Sequence, residues 1–274
     1  MPQIINTNIP SLNAQRNLNA SQGSLNLALQ RLSSGLRVNS AKDDAAGLAI
    51  ASNMDSQSRG MVVAMRNAND GISAAQTAEA GYNAIGQHLQ RMRELAVQAA
   101  SGQYDTANRI ALNNEYTALA SEIERVIAAT NFNGQELLDG TFSVPFQVGP
   151  TVDSFSRIDL NISPLTYTAA GDYSVITGSD GNNATAAMTT LDVAIDEINT
   201  HRSQLGAIQN RFEAVLVQLS SAQESTEAAK SRIMDADYAS ETAKLSRAQI
   251  LQQAGVAMLA QANALPQNVL SLLR

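Results

Sequence analysis

Mostly apolar side chains recur at alternating steps of three and four residues through a long C-terminal stretch of the chain. The series runs for about six heptads, and its members are Leu191, Ala194, Ile198, His201, Leu205, Ile208, Phe212, Val215, Leu219, Ala222, Thr226, Ala229 and Ile233. This spacing places the side chains on one face of an α-helix, where they can pack lengthwise against another helix. The segment is therefore predicted to form one long coiled-coil helix, interrupted at Asp235–Tyr238.

Both ends of the chain carry shorter series of the same kind. Residues Ser11–Ser34 are predicted to form a helix that Gly35 ends, and residues 239–264 are predicted to form the last helix, which Pro266 breaks or kinks. The stripe residues are Leu18, Leu25, Leu29, Leu32 and Leu36 in the first helix and Leu251, Ala254, Met258, Gln261 and Leu265 in the last.

Two more helices are predicted between the first helix and the middle of the chain. The segment Asp44–Ala100 keeps one apolar face from Met65 onward for about ten turns. The next segment begins at Asp105, whose carboxylate can cap free backbone N–H groups, and closes at Asn131–Gly134.

The stretch from residue 141 to residue 184 has a different character. Apolar side chains alternate with other residues there, which is typical of half-buried strands, and Pro and Gly residues separate the runs. The runs contain Phe142, Val144, Phe146 and Val148, then Ile158, Leu160 and Ile162, and then the β-branched segment Tyr173–Thr177. We therefore expect a small β-hairpin region inserted between helices.

Together these patterns predict a mainly α fold, in which N- and C-terminal segments form a long antiparallel coiled-coil helical bundle with a small central β-hairpin region. Aromatic residues make up only 4% of the chain and Trp is absent. Aliphatic and small side chains must therefore supply the buried surface, which suits close helix packing better than an aromatic-lined pocket.

Charge and composition exclude several classes of function. The net charge is −7, whereas a nucleic-acid binder needs clustered Lys and Arg to neutralise phosphates. We expect no membrane insertion, because the chain has no uncharged run of about 18 residues. Residues Met1–Pro10 show no basic region followed by an apolar stretch, so a secreted chain is expected to use another export route.

The stripes at the two ends of the chain are natural partners for each other, but one pair of helices is marginal in isolation. Additional copies of the chain are the expected partners, and the chain is therefore predicted to self-assemble. The residues predicted to mediate self-assembly are Leu18, Leu25, Leu29, Leu32, Leu251, Met258 and Leu265.

Residues that could carry chemistry are few. His88 and His201 are far apart in sequence, and His201 falls on a helical stripe, where a polar core position explains it. Asp43 and Asp44 are explained by the start of a helix, where negative side chains are favourable. With no Cys and no nucleotide-binding motif, the chain is predicted to have no catalytic residue, no metal site and no cofactor.

Several long strings occur in order at the two ends of the chain. They are LSSGLRVNSAKDDAAGLAIA at Leu32–Ala51, NANDGIS at Asn67–Ser73, LQRMRELAVQ at Leu89–Gln98, SRAQILQQAGVAMLAQAN at Ser246–Asn263 and PQNVLSLLR at Pro266–Arg274. In these strings the chain resembles bacterial flagellin, the subunit of the flagellar filament, and the resemblance covers about residues 1–140 and 185–274.

This resemblance implies an extracellular filament protein used in motility. It implies a terminal coiled-coil domain of residues 1–46 with 236–274, a helical bundle domain of residues 47–140 with 185–235, and a short variable segment of residues 141–184. It further implies export through a type III apparatus, a cytoplasmic export chaperone, and contact with filament cap and hook-junction proteins. Large outer domains are not expected, since the middle segment is short, and Ser and Thr in residues 141–190 are candidate O-glycosylation sites.

A further implication concerns host recognition. The string LQRMREL resembles the segment of flagellins that an innate-immune Toll-like receptor binds. Gln90, Arg91 and Leu95 match that motif, and Glu115 matches its acidic companion. Arg91 and Leu95 lie off the predicted buried stripe and are expected to face outward or toward a neighbouring subunit.

Two alternatives remain at this stage. An enzyme with a site inside the bundle would need converging ionisable residues, and the stripes offer only His201. The protein that joins flagellar hook and filament has similar ends, but the complete C-terminal string and NANDGIS favour the filament subunit.

Overall fold

The computed structural model describes residues 7–167, 173, 175–178 and 181–271, with side chains up to Ala264 in the last helix. The helices in chain order are α1 (Ile9–Ser34), α2 (Ala45–Ala100), α3 (Thr106–Ala129), α4 (Asn182–Met234) and α5 (Tyr238–Ser271). The strands are β1 (Asn131–Phe132), β2 (Gln135–Glu136), β3 (Ser143–Gln147) and β4 (Arg157–Asn161). The predicted mainly α fold with a small β region is confirmed.

The chain divides into two compact units. The terminal unit contains residues 1–58 and 224–274, and the middle unit contains residues 59–223. The boundaries lie inside α2 and α4. The three-part domain division that the family resemblance implies, with boundaries at residues 46 and 236, stays a prediction.

In the terminal unit, α1 and α5 form an antiparallel helical hairpin. Asn8 caps α1 by accepting a hydrogen bond from the backbone N–H of Ser11, and Gly35 ends the helix in the left-handed conformation that glycine favours. A backbone bridge between Leu36 and Asp235 joins the chain just after α1 to the chain just before α5. This bridge fixes the base of the hairpin.

The middle unit has one large hydrophobic core, to which α2, α3 and α4 contribute. The stripe predicted on α2 is its buried face, since Tyr82, Ile85 and Met92 are completely buried. Asp105 caps α3 as expected and accepts a hydrogen bond from the backbone N–H of Asn108. The core therefore follows the predicted periodicity closely.

The β region consists of two separate antiparallel hairpins. Strands β3 and β4 pair with Ser143 opposite Asn161, and alternate side chains of β4 are buried, as predicted. The predicted strand at Tyr173–Thr177 is wrong for its described residues, none of which is in a strand, and Ser174 lies outside the described residues.

Two other local predictions also need correction. Asn131–Gly134 does more than close α3, because β1 and β2 form a small hairpin whose turn places Asn133 and Gly134 at positive φ. Pro266 does not break the last helix, since α5 continues to Ser271, and the alternative of a kink at Pro266 stays a prediction.

Candidate assembly surface

The contact between α1 and α5 follows a regular heptad pattern on both helices, and we call these contacting positions the seam. They alternate in steps of three and four residues and are buried or half-buried. The seam consists of Ser11, Ala14, Leu18, Ser21, Leu25, Ala28 and Leu32 on α1 and of Glu241, Leu245, Ala248, Gln252, Gly255, Leu259 and Ala262 on α5.

The predicted stripes agree with the seam only in part. Leu18, Leu25 and Leu32 lie in it, but Leu29 is 48% exposed, because Ala28 occupies the seam position. On α5 the prediction is displaced by one residue. Leu251 and Met258 are 50% and 63% exposed. The side chain of Leu265 lies outside the described residues.

Polar contacts cross the seam along its length. Arg31 Nη1 lies 3.4 Å from Glu241 Oε1 near the base. Farther along, Gln252 Nε2 donates to Gln22 Oε1 at 2.8 Å. At the far end, Ser11 Oγ donates to Asn263 Oδ1 at 2.8 Å, and Asn8 Nδ2 donates to the carbonyl oxygen of Ala262 at 2.8 Å. All of these contacts fit one antiparallel register, the one that the Leu36–Asp235 bridge begins.

Glu241 is the only acidic residue in the seam. Its side chain is only 6% exposed, and Lys244 Nζ lies 2.7 Å from its Oε1. The hydrogen bond from Lys244, with a smaller contribution from Arg31, holds the pKa of the carboxyl below its usual value despite its burial. Glu241 is therefore ionised in the hairpin at neutral pH.

Large apolar side chains remain exposed on the hairpin outside the seam. The examples with at least 38% exposure are Ile9, Leu12, Leu27, Leu29, Ile250, Leu251, Val256 and Met258. Leu251, Ala254 and Met258 line one side of an open groove that runs between the two helices, and Leu27 lies on the opposite side. A helix that is apolar on several faces is usually buried on several faces.

The candidate receptor residues lie in the middle unit. Arg91 is exposed, and its guanidinium contacts the carboxylates of Glu94 and Glu115, each at 2.8 Å. The hydrogen bonds that Arg91 donates to Glu94 and Glu115 raise its pKa. Gln90 is exposed as well, so three of the four candidates are accessible. The expected outward position of Leu95 is wrong, because this side chain is 1% exposed and belongs to the core.

No arrangement of side chains suggests a metal or catalytic centre in the part of the chain that the structure describes. No group of three or more potential metal ligands occurs there. His201 is buried as a polar core residue and stacks on Tyr82 with a centroid distance of 5.4 Å. Among the described helices, none is both long and apolar enough to cross a membrane.

The polar seam residues were missed by the sequence analysis. Glu241, Gln252 and Gly255 follow the same three–four spacing as the leucines around them. Their polarity or small size hides them from a search for apolar stripes, whereas a search for continuous spacing would have included them.

Comparison with known proteins identifies the family. The model of the bacterial flagellin N-terminal helical region matches residues 5–143, and that of the bacterial flagellin C-terminal helical region matches residues 188–273. A flagellin of Halalkalibacterium halodurans is 44% identical, with 99% of this chain and 100% of the relative covered. Flagellin FlaB2 of Treponema pallidum is 41% identical, with 99% and 100% covered.

Solved structures agree with this assignment. The crystal structure of Bacillus cereus flagellin has a TM-score of 0.50 and 31% identity, and the match covers 56% of this chain and 88% of that chain. The chain therefore belongs to the bacterial flagellin family and is a structural subunit of the flagellar filament, which extends outside the cell.

Proposed function

We propose that the subunit polymerises when neighbouring copies cover the exposed apolar faces of the α1–α5 hairpin. The observation that supports this most is the exposure of Leu251 and Met258 on α5, the helix that also packs on α1. Burying an exposed Leu or Met side chain contributes about 1.5–3 kcal/mol. Repetition of such contacts along a filament stabilises a polymer of many copies.

Charged substitutions on this face test the proposal. Leu251→Lys and Met258→Lys should each raise the protein concentration needed for filament growth by about tenfold or more, because a charge replaces a buried apolar group. Electron microscopy and sedimentation measure the filaments, and circular dichroism checks helix content. Phe155→Lys is the control, since Phe155 is 82% exposed and belongs to the middle unit, so it is not part of the hairpin. Normal growth of both α5 variants would contradict the proposal.

We also propose the delivery route that the family resemblance implies. The chain leaves the cell through the flagellar type III export apparatus, a cytoplasmic chaperone covers its C-terminal segment beforehand, and the subunit is added beneath the filament cap beyond the hook-junction proteins. The apolar composition of Val269–Leu273 supports a need for masking before assembly. Removing residues 265–274 should abolish binding of the export chaperone in a pull-down assay, and unchanged binding would refute this part.

We further propose that the exposed patch around Arg91 is recognised by the Toll-like receptor that senses flagellins. Support comes from the ion pair that holds Arg91 beside Glu115, because it brings together two motif residues that are distant in sequence. Leu95 is not proposed as a contact residue, because its side chain is buried in the core.

A matched pair of arginines tests this recognition. Arg91→Ala should reduce receptor signalling by the monomer, since an interface arginine is often among the residues that matter most for binding. Arg93→Ala is the control, because Arg93 is also exposed and paired, in its case with Asp192 at 2.6 Å. Equal signalling by the two variants would contradict a specific role for Arg91.

A further inference from the structure

Two faces of α5 compete for contact with α1. The seam face contains only two large apolar residues, Leu245 and Leu259, together with Glu241, Gln252 and Gly255. The neighbouring face, displaced by one residue, carries Leu251, Ala254 and Met258 and points into the open groove. A displacement of one residue corresponds to a rotation of the helix by about 100°.

Hydrophobic burial alone does not explain which face packs on α1. The observed rotation leaves the apolar side chains of Leu251 and Met258 50% and 63% exposed to solvent. The seam instead uses a glutamine and a glycine at the facing positions, Gln252 and Gly255. Another interaction must therefore favour the observed rotation.

Charge favours the observed face in two ways. In the seam, Glu241 faces Arg31, which is of opposite charge, at 3.4 Å. A rotation that brings Leu251 and Met258 into the seam would also place Lys244 and Arg247 in the seam, since they belong to the same displaced series, and would move Glu241 out of it. Burying positive charges without their acidic partner opposes that arrangement.

Hydrogen bonding and close packing act in the same direction. The amide of Gln252 reaches Gln22 across the seam only when position 252 faces α1. At Gly255 a Cβ atom would lie 3.8 Å from Leu18 Cβ, so the two backbones approach closely there. Single polar pairs of this kind fix register in other coiled coils.

We propose that the Arg31–Glu241 ion pair and the Gln22–Gln252 hydrogen bond set the rotation of α5 on α1 and so hold Leu251, Ala254 and Met258 outward for the neighbouring subunit. These four polar residues are positioning residues for polymerisation. The inference rests on the proposed function, because that function gives the outward face its occupant, a second copy of this chain.

Disulfide trapping measures the rotation directly, because the chain contains no Cys. The reporter for the observed rotation is Leu18→Cys with Gly255→Cys, whose Cβ atoms would lie 3.8 Å apart, the usual distance in a disulfide. The reporter for the rotated state is Leu18→Cys with Ala254→Cys. Both are oxidised in assembled filaments, where the α1–α5 pair is in place. Disulfides within one chain are then quantified by peptide mapping of the monomer band after depolymerisation.

The positioning residues are then removed in both reporters. With Glu241→Ala and Gln252→Ala, the yield of the disulfide between positions 18 and 255 (the 255 product) should fall relative to that between positions 18 and 254 (the 254 product). The expected fall in this ratio is about tenfold or more, as for the loss of a hydrogen-bonded contact to a charged group. Gln249→Ala with Gln253→Ala is the control and should leave the ratio unchanged, since both residues are exposed on the same helix.

A rescue variant separates positioning from general stabilisation. Gln22→Glu with Gln252→Lys, combined with Glu241→Ala, creates a new cross-seam ion pair and should restore the 255 product. An unchanged ratio in the alanine variant overturns the inference, and so does an equal loss of both products, because the contacts would then only stabilise the hairpin. Filament growth of Leu251→Lys and Met258→Lys is measured separately, so failure of the assembly proposal is distinguishable from failure of this one.

Discussion

Replacing Tyr82 by phenylalanine should make the middle unit more stable. Tyr82 is completely buried in the core, and its hydroxyl has no hydrogen-bonding partner among the described residues. Burial, with the charge of Glu197, raises the pKa of this hydroxyl, so it remains protonated. A buried polar group without a partner costs about 1–3 kcal/mol. Phenylalanine removes that cost and keeps the ring that stacks on His201. We expect the free energy of unfolding to rise by about 1–2 kcal/mol.

Urea unfolding of the unpolymerised protein, followed by circular dichroism, measures the change. Tyr173→Phe is the matched control, because the Tyr173 hydroxyl donates to the carbonyl oxygen of Tyr167 at 3.1 Å. Losing that bond should lower stability by about 1 kcal/mol. Tyr116→Phe should resemble Tyr82→Phe, since the buried Tyr116 hydroxyl also lacks a partner among the described residues. If Tyr82→Phe lowers stability as much as Tyr173→Phe does, the Tyr82 hydroxyl has a bonding partner and the reasoning is wrong.

Three further predictions follow from packing, charge and capping. Gly71→Ala should destabilise the middle unit by about 1–3 kcal/mol in the same urea assay, because its Cβ would lie 2.6 Å from Phe212 Cζ. Gly206→Ala should stabilise the unit by about 0.4–1 kcal/mol, because a Cβ at that position would meet no atom within 4 Å. Asp105→Ala should cost about 1 kcal/mol by removing the cap of α3. The pKa of Glu241 is lower in the folded chain than in the unfolded chain. Its ion pairs therefore stabilise the hairpin fully at pH values above the unfolded pKa of about 4.3, and this stabilisation is lost as the pH falls through the lower pKa of the folded chain. Helix content measured against pH should show this loss, and Glu241→Gln should reduce it.

Much of the fold could be predicted from spacing alone. Apolar spacing located α1, α2, α4 and α5, the Asp105 cap located the start of α3, and alternation located β3 and β4. These signals are strong because a long stripe has only one period that keeps it on one face. Tyr173–Thr177 is a weaker case, since β-branched composition without alternation does not specify a partner strand. The small β1–β2 hairpin depended on the Asn133–Gly134 turn, whose positive φ angles are a local signal that apolar periodicity does not include.

The candidate receptor patch shows a different limit. The position of Arg91 on the surface followed from its place off the apolar stripe of α2. Leu95 is also off that stripe, yet it is buried, because α2 lies in a core to which other elements also contribute and which covers more than one of its faces. A stripe identifies the most buried face of a helix, but the width of the buried surface depends on how many neighbours the helix has.

The packing face of helix α5 is hard to predict for the same reason that α5 can take part in assembly, namely that several of its faces are apolar. Periodicity shows that a helix packs, but it selects a face only when one face is clearly more apolar than the others. Exposed Ile250, Leu251, Val256 and Met258 leave α5 without such a face. The hydrophobic contribution is then similar for several rotations, and smaller polar contributions such as the Arg31–Glu241 pair can decide among them. Apolar residues on several faces also serve a filament subunit. A terminal helix with a single apolar face would bury that face within its own chain and leave no apolar surface for neighbouring subunits to cover.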